Sequence, residues 1–268
     1  MEQKRCALVT GASRGIGRET ALALARVGYR VTGTCRNPDK LKPEERIDGV
    51  SYVPLELMDE SSVDALIEQM DQVDVLVNNA GASQMGPVEE VPMEKIRQLY
   101  QLSFFGNVRL IQGILPKMRK GGQGIIINVT SLAGHLPIPF SSIYASAKSA
   151  MEVMANGLRN ELAPFGIRVV TVAPSFIKTD IYQEKILQSG SVYAAAMNTA
   201  KAIRDARIRS GSEPSVVAAK ILQIISVKNP KPFYSAGRNA GMLALISKLM
   251  PAGFVEKNIR KQFKINGT

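Results

Sequence analysis

Apolar residues fall in short runs, each closed by glycine or a polar turn and followed by a longer stretch with helical spacing. Ala7, Leu8, Val9 and Thr10 run into Gly11. Over residues 19–27, Leu22, Leu24 and Val27 recur at helix-like intervals, and Gly28 is placed to cap the helix. Residues 31–35, 50–57 and 73–77 are further strand-like runs. Residues 93–120 form one long amphipathic stretch that ends at Gly121-Gly122. The run 124–129 is rich in isoleucine and valine, as expected of a strand buried on both faces. Residues 142–162 read as helix, closed by Pro164 and Gly166, and 167–172 as strand. A further helix is expected over 213–228, capped by Ser212.

Strands alternating with helices imply crossover connections and a parallel sheet. The predicted fold class is α/β: a Rossmann-like, doubly wound parallel sheet in three α/β/α layers, with 1–268 as a single domain. Residues 176–212 are less regular and carry Phe176, Ile181, Tyr182, Ile186, Leu187, Tyr193 and Met197. They read either as a substrate lid or as a helical hairpin over the core. Residues 241–268 form a C-terminal extension mixing apolar side chains with Lys248, Lys257, Arg260 and Lys261. Such a tail either packs on its own domain or touches an anionic membrane surface, and the first is the favoured reading.

Composition narrows the chemistry. The chain has 268 residues, 45% of them hydrophobic, and 34 Lys and Arg against 23 Asp and Glu give a net charge of +11. The basic residues are dispersed, with local concentrations at Arg14 and Arg18, 117–120, 201–209 and 257–264, and are read as solvated surface. No zinc-finger spacing, basic zipper or RNA-binding aromatic motif accompanies them, so nucleic acid is not an expected partner. Two separated cysteines, Cys6 and Cys35, exclude a disulfide framework and favour a reducing, cytoplasmic setting. With His135 as the lone histidine, neither a soft-ligand zinc site nor a serine–histidine–acid triad is expected. No apolar run reaches membrane-spanning length, and the N-terminal run is too short for a signal peptide.

Two constellations carry chemistry. Thr10 to Gly17 joins the first strand to the first helix, with Gly11, Gly15 and Gly17 in a G-x-x-x-G-x-G spacing around Ser13, Arg14 and Ile16. Gly11 permits the tight turn, Gly15 lets a diphosphate approach the backbone, and Gly17 lets the helix sit close to the sheet. Free N–H groups and the helix dipole then hold the anion. After the second strand no acid awaits the ribose 2′-hydroxyl; Arg36 stands there instead. Arg36 and Arg14 together point to a 2′-phosphate, hence NADP(H). The second constellation is Tyr144 and Lys148, four residues apart on one helix face, with Ser131 just after the strand 124–129. A neighbouring ammonium favours phenolate, so Tyr144 can exchange a proton with an alcohol or carbonyl oxygen that Ser131 also holds.

In these motifs the chain resembles the short-chain dehydrogenase/reductase family, from about Arg5 to about Asp180. Asn78-Asn79-Ala80-Gly81 matches the family's Asn-Asn-Ala-Gly, and Ser131, Tyr144 and Lys148 match its active-site positions. The resemblance implies that Tyr144 is the acid/base, that Ser131 orients the substrate oxygen, and that Lys148 binds the nicotinamide ribose and lowers the tyrosine pKa. It implies a ribose contact at Asn79, with Ala80 and Gly81 beside the cofactor and Glu56 and Leu57 flanking the adenine. It further implies that Ile177 and Thr179 contact the carboxamide of the nicotinamide. Residues 106–148 are similar to the 17β-hydroxysteroid and retinol dehydrogenase branch, which implies a lipophilic alcohol or ketone and a pocket lined by Leu136, Pro137, Ile138, Pro139 and Phe140. A homodimer or homotetramer built on the helices 93–120 and 142–162 is also implied. Two departures stand out: Ser103 replaces the family's asparagine of the proton relay, with Asn107 expected on another helix face, and Pro174-Ser175 replaces Pro-Gly. A cofactor-binding regulatory protein without turnover and a non-redox enzyme of the same fold remain the alternative functions.

Overall fold

The computed structural model describes residues 4–179 and 181–265. Its strands are β1 (Cys6–Val9), β2 (Arg30–Cys35), β3 (Val50–Pro54), β4 (Val75–Asn78), β5 (Ser83–Met85), β6 (Gly124–Val129), β7 (Ile167–Pro174), β8 (Gln183–Lys185) and β9 (Phe233–Ala236). The helices are α1 (Gly15–Arg26), α2 (Glu60–Gln69), α3 (Met93–Tyr100), α4 (Gly106–Lys120), α5 (Ser142–Leu162), α6 (Ala194–Arg209), α7 (Pro214–Ser226), α8 (Ala240–Leu249) and α9 (Ala252–Gln262).

Alternation along the strands explains the layers. Ala7, Val9, Val75, Val77, Ile125 and Ile127 face α1 and α7, meeting Ala21, Leu24, Val217 and Ile221. The intervening Leu8, Leu76 and Ile126 face the opposite layer, meeting Val63 of α2, Leu110 and Ile114 of α4, and Met151 and Leu158 of α5. A side chain buried as fully as Ile126 or Ile127 contributes ~1.5–3 kcal/mol, which explains why β6 reads as a continuous apolar run. The main sheet is all parallel, in the order β3-β2-β1-β4-β6-β7-β9. This is the expected doubly wound, three-layer α/β/α arrangement.

The chain builds outward from β1 to β3, returns to β4 beside β1, and builds the other way. A crevice opens at that reversal, beyond the carboxyl ends of the strands. The loops after β1, β4, β6 and β7 all leave the sheet at this edge. A second sheet, β5 with β8, lies outside the main one and pairs Ser83 with Gln183.

Several expectations change. Helix α1 begins at Gly15, so the glycine turn itself opens the helix. The stretch 93–120 is interrupted by a π-helical turn, Gln101–Phe105. Ser212 does not cap α7: its hydroxyl accepts from the Arg238 N–H at 2.8 Å, and Glu213 occupies the N-cap position. Segment 176–212 is not a helical hairpin but holds a strand, β8, followed by one helix, α6, and it contributes Phe176, Ile181 and Ile208 to the cavity wall. Its two ends are pinned together, with Lys178 N–H donating to Ser212 O at 2.9 Å and Ser212 N–H to Phe176 O at 3.1 Å. The C-terminal extension packs on its own chain through Val255, Ile259 and Phe263, while Met242, Leu245, Leu249, Met250 and Phe254 are exposed. Among the described residues no helix is long and apolar enough to cross a membrane.

Candidate active site

The turn after β1 is held by backbone geometry and one threonine. Gly11 and Gly15 adopt φ of +68° and +55°, in the left-handed region that favours glycine. A Cβ on Gly17 would stand 2.2 Å from the Gly11 carbonyl oxygen, so only glycine lets α1 begin there. The Thr10 hydroxyl accepts from the Asn79 and Ala80 N–H groups, each at 2.9 Å, tying this turn to the one after β4. The Asn79 amide donates to the Thr10 carbonyl at 2.9 Å. Its amide nitrogen therefore braces the turn, a role not anticipated from sequence.

Helix α1 has no side-chain cap and no acid in its first turn. Its first N–H groups are thus uncommitted to side chains, an arrangement that fits a diphosphate. Arg14 and Arg36, with Ser13 just before Arg14 in the glycine turn, are placed at the same sheet edge. Both arginines are exposed and form no ion pair among the described residues. Glu56 follows β3, where its carboxylate accepts from the Met58 N–H at 3.1 Å. The Leu57 side chain is buried in the core among α2 and α4 residues, so it presents no side chain to an adenine ring.

A cavity of about 180 Å³ lies where the loops converge, and it brings together Ile16, Asn79, Gly81, Ser131, Tyr144, Lys148, Ile177 and Thr179. Gly11, Ser13, Arg14, Gly15, Gly17, Arg36, Glu56, Leu57 and Ala80 do not line it. Thr179 bridges the two groups, its Cγ2 lying 3.3 Å from where a Gly15 Cβ would stand. Of the expected pocket loop, Leu136 and Ile138 line the cavity. Pro137 is exposed, and Phe140 packs instead edge-on against Tyr193, with ring centroids 6.4 Å apart. His135 has a structural bond, 2.8 Å from Glu152.

At the floor of the cavity, Lys148 Nζ donates to the Val129 carbonyl at 3.2 Å. Its burial pushes the ammonium pKa down from 10.5 to about 8. Ser131 Oγ accepts from the Ala133 N–H at 3.1 Å, leaving its proton for another acceptor. Burial raises the Tyr144 phenol above its ordinary value, opposed by the adjacent Ser131 hydroxyl and by the positive charge of Arg204. Arg204, on α6, is a residue that sequence reasoning missed.

The two departures have structural consequences. Ser103 lies in the π-helical turn, 2% exposed, and its hydroxyl has no protein partner. Asn107 is also buried, so it shares the inward side with Ser103 rather than lying on another face; its amide donates to Leu102 O at 3.1 Å. The Ser175 hydroxyl is spent on the Arg238 carbonyl at 3.1 Å.

Comparison with known proteins identifies the family and the fold. Residues 5–189 match the family model described as short chain dehydrogenase. The chain is 33% identical to a 3-ketodihydrosphingosine reductase of Bacteroides thetaiotaomicron, covering 86% of this chain and 87% of that protein. It is 30% identical to an NADPH-dependent 3-dehydrocapnine reductase of Ornithobacterium rhinotracheale, covering 97% and 98%. A solved short-chain dehydrogenase from Streptomyces avermitilis superposes with a TM-score of 0.82 at 29% identity, covering 98% of this chain and 96% of that one. The chain belongs to the short-chain dehydrogenase/reductase family.

Proposed function

We propose that this protein is an NADP(H)-dependent oxidoreductase that interconverts a lipophilic secondary alcohol and its ketone. The observation that carries the reading is one cavity with Ser131, Tyr144 and Lys148 at its polar floor and apolar walls from Leu136, Ile138, Phe176, Ile208, Leu243, Ile259 and Phe263. When bound, the nicotinamide supplies or accepts the hydride. The turn Gly11, Ser13, Arg14, Gly15, Ile16 and Gly17 holds the diphosphate, with Thr179 and Ile177 beside the carboxamide. Arg36 and Arg14 pair with the 2′-phosphate as exposed cations with no competing carboxylate. Lys148 and Gly81 face the nicotinamide ribose.

In the reductive direction the substrate carbonyl oxygen accepts hydrogen bonds from Ser131 and Tyr144. Tyr144 gives its proton to that oxygen as negative charge develops there. Burial raises the phenol above its ordinary value, so Tyr144 enters the step as the protonated donor. The Ser103 hydroxyl, without a protein partner, is placed to hold a water behind the catalytic helix. The names of two relatives, a 3-ketodihydrosphingosine reductase and an NADPH-dependent 3-dehydrocapnine reductase, support a ketone-reducing activity.

The reading includes a single domain, a cytoplasmic location and a homodimer or homotetramer formed through the stretch 93–120 and α5, where Phe105 and Val153 are exposed. The test is purified protein with NADPH and a panel of long-chain ketones. Loss of NADPH absorbance with ketone, and much less with NADH, is expected. No loss with any ketone or aldehyde would leave the regulatory or the non-redox reading.

A further inference from the structure

Arg204 is buried, 9% exposed, in the wall of the substrate cavity. One terminal nitrogen donates to the Ser83 hydroxyl at 2.7 Å. The other is buried with no partner at all. A guanidinium cannot escape such a position by losing its proton, so a buried, half-satisfied arginine carries a standing demand for an anion.

Among the described residues no carboxylate is bonded to Arg204, and the carboxylate whose charge bears on it, Asp205, is shared with Lys201. Arg204 forms no ion pair among the described residues. The adjacent Asp205 is bound to Lys201, and Glu184 of β8 is bound to Lys95 at 2.7 Å. The described residues lining the cavity include Lys148, Arg204 and Arg207 and no Asp or Glu. Arg207 is held over the Phe176 and Phe263 rings, 5.5 and 4.9 Å from their centroids, and donates to Gln262 at 2.9 Å. These contacts fix its orientation without neutralising it.

The placement of Arg204 is built rather than incidental. The β5–β8 sheet presents Ser83 to it, and the pinned base of segment 176–212 fixes α6 over the cavity. Its charge lies close enough to bear on the Tyr144 phenol. An anion held there lies in the cavity that Tyr144 and Ser131 also line, not beside Arg14 and Arg36, which do not line it.

We propose that Arg204 is the anion-recognition residue of the substrate cavity, and that the substrate is an amphiphile whose ketone lies close to a carboxylate, sulfonate or phosphate group. The apolar chain then runs along Leu136, Ile138, Ile259 and Phe263, with Arg207 at the same wall. The proposal rests on the redox reading of this cavity and deepens it by naming the charge of the substrate.

The experiment has a kinetic and a binding arm. Straight-chain ketones of equal length, either neutral or carrying a sulfonate, carboxylate or phosphate monoester next but one to the carbonyl, are compared by kcat/KM with NADPH. One oxyanion analogue is expected to be preferred over the neutral ketone by ~10- to 100-fold, the range of a charge-assisted hydrogen bond. Arg204→Met is expected to abolish that preference, and Arg204→Lys to restore part of it. In the binding arm, octane sulfonate is titrated into protein with NADP, with octanol as the uncharged control. The sulfonate is expected to raise the Tm of the wild type and not of Arg204→Met. Arg204→Met itself is expected to keep or raise the unliganded Tm, because a lone buried charge is removed. Equal kcat/KM for neutral and anionic ketones, with octane sulfonate binding unaffected by Arg204→Met, overturns the proposal. So does a lowered Tm in Arg204→Met with an unchanged anion preference, which would make the residue purely structural. Sulfonate binding that depends on Arg204 while no ketone is turned over upholds the anion site and overturns the redox reading instead.

Discussion

The two halves of the cleft are built by different means. The cofactor half is backbone: left-handed Gly11 and Gly15, a helix start that tolerates no Cβ at Gly17, and the Thr10 hydroxyl joining two turns. The proposed substrate half is side chains from β5, the loop after β6, α5, segment 176–212, α8 and the end of the chain from α9 to Phe263, gathered around two arginines. On the proposed reading, the backbone cradle recognises what does not vary, the diphosphate of the cofactor, and the side-chain walls recognise what does, which puts specificity for the second reactant where the sequence is least regular.

Substitutions can break or sharpen that division. Tyr144→Phe, at the junction, is expected to reduce kcat by ~10²- to 10⁴-fold. NADPH titration of the same variant is expected to give a dissociation constant near that of the wild type, since the cradle is untouched. Comparable loss of both would mean that the halves are not separable.

Gly17→Ala attacks the cradle alone. Its Cβ meets the Gly11 carbonyl, so a loss of ~1–3 kcal/mol in denaturant unfolding is expected, together with weakened cofactor binding. Arg36→Asp is milder, removing a cation and adding a charge that repels phosphate. It is expected to shift the NADP-to-NAD ratio of kcat/KM by ~10- to 100-fold toward NAD. An unchanged ratio would remove Arg36 from the cofactor site.

Lys148 separates function from stability. Its native pKa of about 8 lies below the ordinary 10.5, so the native state is penalised while the amine is charged. That penalty is full below pH 8 and fades as pH rises from about 8 to 10.5, over which the unfolded chain binds more protons. Lys148→Met is therefore expected to be inactive yet more stable by roughly 1–3 kcal/mol at neutral pH. The stability difference from the wild type is expected to shrink as pH is raised toward 10.5. A constant difference would show that the lysine's charge is not the cause.

Legibility in the sequence follows the same division. The bounds of β6 and α5 are readable because complete burial and a long amphipathic period leave one solution. The glycine turn and the Ser131, Tyr144 and Lys148 set are readable because each depends on local spacing. Strand β9 was not readable: it is short, follows Pro232 and is only half-buried along most of its length. Helix α2 had a signal that went unused, the Asp59 side chain capping the Ser61 N–H. Arg204 was hidden among Lys201, Arg207 and Arg209 in a stretch read as solvated surface. Its burial arises from packing of α6 against β5, more than a hundred residues away in sequence, with Ser83 and Arg204 separated by 121 positions. No local pattern records such a contact.

The most direct measurement is a crystal structure of the protein with NADP and the alcohol product of its best ketone. The account predicts the alcohol oxygen within about 3 Å of both the Tyr144 hydroxyl and the Ser131 hydroxyl, with Lys148 on the nicotinamide ribose. An alcohol bound outside this cavity, or a Tyr144 hydroxyl turned away from the nicotinamide, would contradict it.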